Sequence, residues 1–156
     1  MASKIKPVDI HNRKANFEYT ILEKYSCGMM LTGSEVKSIR ENGCSINEAY
    51  CLVKQDALFV RNMNIPIYEK ATLLNHEPMA QRKLLLRKKE IEKIETKVKE
   101  RGVTIIPLRV FTNERGLLKM EIGLCKGKKT FDKRETLKQK DSKRELDRVM
   151  KKYKAR

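Results

Sequence analysis

The sequence predicts a mainly β protein: a small, closed, OB-like antiparallel barrel of about six strands. Two or three helices pack on it, and a basic C-terminal tail follows. Three observations carry this. Short alternating segments are joined by tight turns, as in hairpins. No strand–helix–strand rhythm appears, which argues against a parallel sheet. Large apolar residues are regular up to residue 125 and sparse beyond it. The division expected is a flexible basic arm over 1–16, a barrel over 17–125 and a tail over 126–156.

In FEYTILEKY (17–25), Phe17, Tyr19 and Ile21 alternate and fall on one face of a first strand. Gly28 permits a tight turn, from which MMLTG (29–33) returns as a second short strand. Thr32 and Glu35 then have the spacing of a capping box, and Gly43 stands where a helix stops. EAYCLVK (48–54) and ALFVRNMN (57–64) read as a hairpin around Gln55-Asp56. Pro66 and Pro78 bracket a loop. After RKLLL, the stretch RKKEIEKIETKVKERG places Ile91, Ile94 and Val98 at helical spacing and ends at Gly102. VTIIPLRVFT (103–112) and LLKMEIGLC (117–125) form a second hairpin over NERG, with Leu118, Met120, Ile122 and Leu124 on one face. Pro107 has no N–H to give a ladder, so it belongs at an edge or a bulge.

Charge separates the tail from the body. The chain has 36 Lys and Arg against 20 Asp and Glu, a formal net charge of +16. Residues 126–156 hold 14 of those cations and only 5 acids. A field of this sign attracts polyanions. In the tail, Leu146, Val149, Met150 and Tyr153 form a narrow stripe that is too small for a core. Short isolated helices are marginal in water, so the tail is expected to be disordered when free and helical on a partner.

Several function classes lose support. No apolar run approaches the roughly 20 residues of a spanning helix, and the first residues hold no secretory signal pattern. The expected location is the cytoplasm, away from membranes. Cys27, Cys44, Cys51 and Cys125 have no CxxC or zinc spacing, which fits reduced structural thiols. No phosphate-binding loop, nucleophile elbow or metalloprotease motif occurs. His11 and His76 lie apart with no nucleophile near them, and read as solvent-exposed or RNA-contacting. An enzyme is not expected, and neither is a cofactor or metal.

The basic clusters carry more. Arg13 and Lys14 precede the first strand, while Arg82-Lys83 and Arg87-Lys88-Lys89 surround the longer helix. That helix cluster reads equally as a solvated face or an RNA contact. Lys119, Lys126, Lys128 and Lys129 follow on the last strand. Gly127 lets backbone approach a phosphate. Phe131 either stacks on a base or plugs the barrel.

NRKANFEY (12–19), LTGSEVKSIR (31–40), RKLLLRKKEIEKI (82–94), ERGVTIIPL (100–108) and KGKKTFDKRE (126–135) resemble the SsrA-binding protein family. The likeness runs from about residue 12 to about residue 150. Members of that family, also called small protein B, partner transfer-messenger RNA (tmRNA) in bacterial trans-translation. The resemblance implies an OB-like barrel that binds the tRNA-like domain of tmRNA as a monomer. It implies a tail that enters the empty mRNA channel beside the rRNA of the decoding centre and becomes helical there. By position it assigns tmRNA binding to Asn12, Arg13, Lys14, Leu85, Lys119, Lys126, Lys128 and Lys129. Leu85 also reads as an ordinary core residue. To the tail and ribosome fall Phe131, Asp132, Lys133, Arg134, Lys143, Arg144, Lys151 and Lys152, with Asp132 placed to cap the tail helix. Phe17 and Phe131 stand where several relatives have histidine, Ser26 where an acid is common, and Pro66 one residue early in its loop. A structural ribosomal or rRNA-assembly protein of OB type is the alternative.

Overall fold

The computed structural model describes residues 5–155, and in them seven strands and four helices. They are β1 (Asp9–His11), α1 (Arg13–Glu18), β2 (Tyr19–Met29), α2 (Gly33–Asn42), β3 (Tyr50–Lys54) and β4 (Ala57–Arg61). Then follow β5 (Arg82–Leu85), α3 (Lys88–Val98), β6 (Val103–Thr112), β7 (Leu118–Gly127) and α4 (Thr130–Lys154). Strand order is β1-β6-β3-β4-β5-β2-β7, and β7 pairs back onto β6. Six strands thus close an antiparallel barrel, with β1 added beside the later half of β6. Closure leaves few open edges for unwanted pairing.

The expected barrel is present, with local differences. β2 is a single long strand, and Gly28 lies inside it rather than in a turn. Its pairing with both β7 and β5 keeps it extended past the glycine. RKLL forms β5, a strand that periodicity over four residues does not announce. Residues 9–18, expected within the arm and the first strand, hold β1 and α1, so Phe17 is helical. β7 continues to Gly127, two residues beyond the boundary expected for the barrel.

Other elements form as their residues dictate. The Thr32 hydroxyl accepts from Glu35 N, and the Glu35 carboxylate accepts from Thr32 N, completing the capping box of α2. Gly43 ends that helix at a φ of 79°, where a side chain would be strained. Gln55 and Asp56 both have positive φ, which matches the twist a two-residue hairpin needs. The β6–β7 register slips between Pro107 and Arg109, so Pro107 does sit at a bulge.

The interior is filled by Ile39, Ile46, Leu58, Met63, Ile65, Leu84, Ile94, Ile105, Met120, Ile122 and Leu124, all essentially inaccessible. Burying each aliphatic side chain of this size contributes on the order of 1.5–3 kcal/mol. A second small cluster, Ala15, Ile106, Leu108 and Cys125, sits on the outer face beneath α1. All four cysteines are free thiols. Among the described residues no helix is long and apolar enough to cross a membrane.

Candidate RNA interface

β2 brings two of the predicted residues together. Gly28 pairs with Leu85 of β5 on one side and with Lys119 of β7 on the other. Leu84 points into the core, so strand alternation turns Leu85 outward, where it is 49% exposed. The core alternative for Leu85 is therefore corrected. A Cβ built on Gly28 would lie 3.4 Å from Leu85 Cβ, so the glycine keeps this row shallow. A cavity of about 460 Å³ opens here, floored by Gly28 and Met29, walled by Leu85, Val36 and Leu117, and bordered by Arg40 and Lys119. Arg40 donates from Nη2 to Gly116 O at 3.0 Å, while its buried Nε has no protein partner. The surface is an apolar shelf with two cations and no acid, which suits an aromatic, anionic ligand such as a nucleotide. Arg40 closes the stretch LTGSEVKSIR, and its place beside Lys119 depends on the fold.

The N-terminal residues form a second group. Asn12 is 3% exposed, and its whole side chain is engaged within the chain. Its amide donates to Ile46 O at 3.1 Å and Pro107 O at 2.9 Å, while Oδ1 accepts from Ala15 N at 3.1 Å. Asn12 thus caps α1 and staples it to the bulge at Pro107. Arg13 and Lys14 follow on the exposed first turn. Lys14 pairs with Glu48 at 2.6 Å and lies 3.9 Å from Glu18, and the Glu48 hydrogen bond raises its pKa. It stays cationic at any physiological pH.

The tail is α4, a 25-residue helix with no buried residue. Lys126 and Lys129 are exposed, whereas Lys128 is half-buried against α1. Phe131 is 73% exposed on the first turn, which corrects its reading as a plug and leaves its ring open to stacking. Asp132 is not the cap. That position is Lys129, and Asp132 lies inside the first turn, where its charge favours the positive end of the helix dipole. Lys133 is half-buried, while Arg134, Lys143, Arg144, Lys151 and Lys152 project into solvent.

Two expectations about basic and aromatic nitrogen groups change. Arg82 is buried in an ion pair with Glu35, so it is no part of a surface cluster. His76 is half-buried, with Nδ1 3.0 Å from Ser34 Oγ and Nε2 2.9 Å from Pro66 O. It fastens the loop before β5 to α2.

The SmpB protein family model matches residues 9–152. The chain belongs to the SmpB family. Its similarity to curated relatives spans nearly the full length of both partners. It is 54% identical to the SsrA-binding protein of Cytophaga hutchinsonii, over 93% of this chain and 95% of that one. It is 51% identical to the SsrA-binding protein of Flavobacterium psychrophilum, over 96% and 99%. A solved structure described as "tmRNA-SmpB: a journey to the center of the bacterial ribosome" superposes with a TM-score of 0.66. It is 38% identical and covers 78% of this chain and 85% of its own. The family thus includes the barrel, the shelf around Gly28 and nearly all of α4.

Proposed function

We propose that this chain is a non-enzymatic adaptor for ribosome rescue by trans-translation. The barrel binds the tRNA-like domain of tmRNA and helps deliver it to ribosomes stalled on a truncated message. The tail occupies the empty mRNA channel against rRNA near the decoding centre. The observation that carries this is membership in a family of SsrA-binding proteins, joined to a barrel that displays an acid-free cationic shelf.

The residues divide by what they can reach. Leu85, Lys119 and Arg40 meet the RNA on the shelf. Arg13, Lys14, Lys126 and Lys129 contact phosphates. Asn12 acts by fixing α1, so it positions Arg13 and Lys14 without touching RNA. Phe131, Lys133, Arg134, Lys143, Arg144, Lys151 and Lys152 belong to the ribosome-facing tail, with Asp132 favouring the start of its helix. The protein works in the cytoplasm as a monomer within the complex and needs no cofactor.

The test compares the full chain with one ending at Thr130. α4 buries none of its residues, so truncation leaves the core whole. Both forms should bind the tRNA-like domain of tmRNA in preference to an unrelated structured RNA at fixed salt. Only the full chain should support tagging on stalled ribosomes. Equal competition by the two RNAs, or retention in ribosomal subunits through a high-salt wash, would favour a structural ribosomal protein instead. Affinity should fall steeply with salt if several phosphates are neutralised.

A further inference from the structure

We propose that the outward face of β3, β4 and β5 is a stacking platform that takes unpaired nucleotides of the RNA seated on the shelf. The three strands are neighbours in the sheet, and β5 in turn adjoins β2 and the shelf. Strand alternation sends Cys51, Leu58, Val60 and Leu84 into the core and leaves Tyr50, Leu52, Phe59, Arg61 and Lys83 outside. Leu52 and Phe59 are half-buried, yet they belong to neither apolar cluster. Tyr50 is 37% exposed. These side chains do not fill the barrel.

Register sets the apolar side chains beside cations. Phe59 lies opposite Leu52 on β3 and Lys83 on β5, and Tyr50 lies opposite Arg61. Arg61 donates from Nε to Gln81 Oε1 at 2.7 Å, which holds the guanidinium at this edge of the face. Lys54 stands beyond Leu52, exposed on the same side. The outward residues of the three strands include no acid. Asp56 sits at the rim in the hairpin turn, and Glu48, just before β3, is taken by Lys14 at 2.6 Å. Aromatic faces set between cations suit the bases and phosphates of a single strand. An apolar protein surface would strand those charges.

Leu85 joins the platform to the shelf. It walls the cavity of about 460 Å³ over Gly28, and it also lines a hollow of about 390 Å³ with Ala57, Lys83, Leu86 and Lys88. On β5 it is two residues from Lys83, which makes it a diagonal neighbour of Phe59, about 7–8 Å away. A strand leaving the shelf over Leu85 therefore meets the Lys83 ammonium and then the Phe59 ring. Leu85 divides one surface into two stretches and does not end it. The choice of occupant rests on the adaptor reading; the arrangement of rings and cations does not.

The experiment titrates the full chain with the tRNA-like domain of tmRNA over a range of salt, beside thermal melts. Phe59→Leu keeps an apolar side chain and removes the ring. Its affinity should fall about fivefold or more, the loss of one stacked base, at an unchanged salt slope. Phe59→Tyr should bind as the wild type does. Lys83→Gln should bind more weakly and lower the slope by about 0.7, the share of one phosphate on a single strand. Melting temperatures should stay near that of the wild type, because both side chains lie outside the core. Wild-type affinity in Phe59→Leu overturns the proposal, and so does an unchanged slope in Lys83→Gln. A loss seen only with isolated ribosomal subunits also overturns it, making rRNA the occupant. So does binding of polyglutamate that both variants abolish while RNA affinity stays intact, which makes the occupant an acidic protein. Failure of the adaptor reading shows separately, as equal wild-type affinity for an unrelated structured RNA, with the loss in Phe59→Leu then the same on both RNAs.

Discussion

Arg82 Nε donates to Glu35 Oε1 at 2.7 Å, with the two side chains only 2% and 5% exposed. The rest of the guanidinium is equally occupied. Nη1 donates to Met63 O at 2.7 Å, and Nη2 to Glu77 O and Pro78 O, each at 3.1 Å. The other Glu35 oxygen accepts from Thr32 N at 2.8 Å. One ion pair therefore joins the start of α2, the chain after β4 and the loop before β5. A buried pair with a partner at every guanidinium nitrogen is costly to break from one side, because the remaining charge is stranded. Arg82→Met should lower unfolding free energy by about 3–5 kcal/mol in urea at neutral pH. Arg82→Lys should fare little better, since an ammonium cannot reproduce the fork. A loss below 1 kcal/mol for Arg82→Met would show that the pair contributes little.

Asn12 offers a second separation of structure from binding. Asn12→Ala removes the cap of α1 and the amide's bonds to Pro107 O and to Ile46 O, the latter still accepting from Ala49 N, at a cost of about 1–3 kcal/mol. The variant should lose stability and bind RNA more weakly at an unchanged salt slope, because no phosphate contact has gone. Arg13→Ala should do the opposite, keeping its urea midpoint while the slope falls by about 0.9. Chemical denaturation and a salt titration of affinity read the two effects apart.

These two residues also show where sequence reasoning stops. The capping box at Thr32 and Glu35, the turn at Gln55-Asp56, the bulge at Pro107 and the amphipathic face of α3 depend on neighbours within a few positions, and the sequence shows them. Arg82 is buried because its partner lies 47 positions away, and local pattern carries no sign of that. Gly28 looked like a turn because glycine usually marks one. Its actual role is to lie between Leu85 and Lys119, which only the pairing of three strands reveals. For α1 a signal was present: Asn12 before helix formers is a good N-cap. The three consecutive leucines 84–86 gave no face until β5 was known to be a strand.

The shelf itself can be closed without disturbing the core. Gly28→Leu would push a side chain across the row toward Leu85 and into the cavity. Affinity for the tRNA-like domain should fall at least tenfold, about 1.4 kcal/mol, while the melting temperature shifts little. Leu85→Ala should weaken binding too and leave stability nearly intact, because the side chain is half exposed. Titration by fluorescence anisotropy beside a thermal melt checks both. A large fall in melting temperature for Leu85→Ala would return it to the core.

The thiols make the fold sensitive to alkali. Burial pushes Cys27 and Cys44 up to about 12 from 9.0, and Cys125 to about 11. Tyr25 rises to about 12, first through burial and then through its hydrogen bond to Glu23. In each case the folded chain holds a proton that the unfolded chain releases near pH 9 to 10. Above that range the unfolded state binds fewer protons, so stability falls as pH rises. The contribution is fully present below about pH 9 and is lost progressively up to about pH 12. The urea midpoint should therefore be flat through pH 7–8.5 with respect to these groups and decline above it. Cys27→Ala should show a shallower decline than wild type between pH 9 and 11, whatever its starting stability. Alkylation by iodoacetamide at pH 8 should be slow in the native protein and fast for all four cysteines in urea, since the reactive form is the thiolate. Rapid native alkylation of Cys44, which is only partly covered, would mean that its surroundings open more readily than its packing against the core implies.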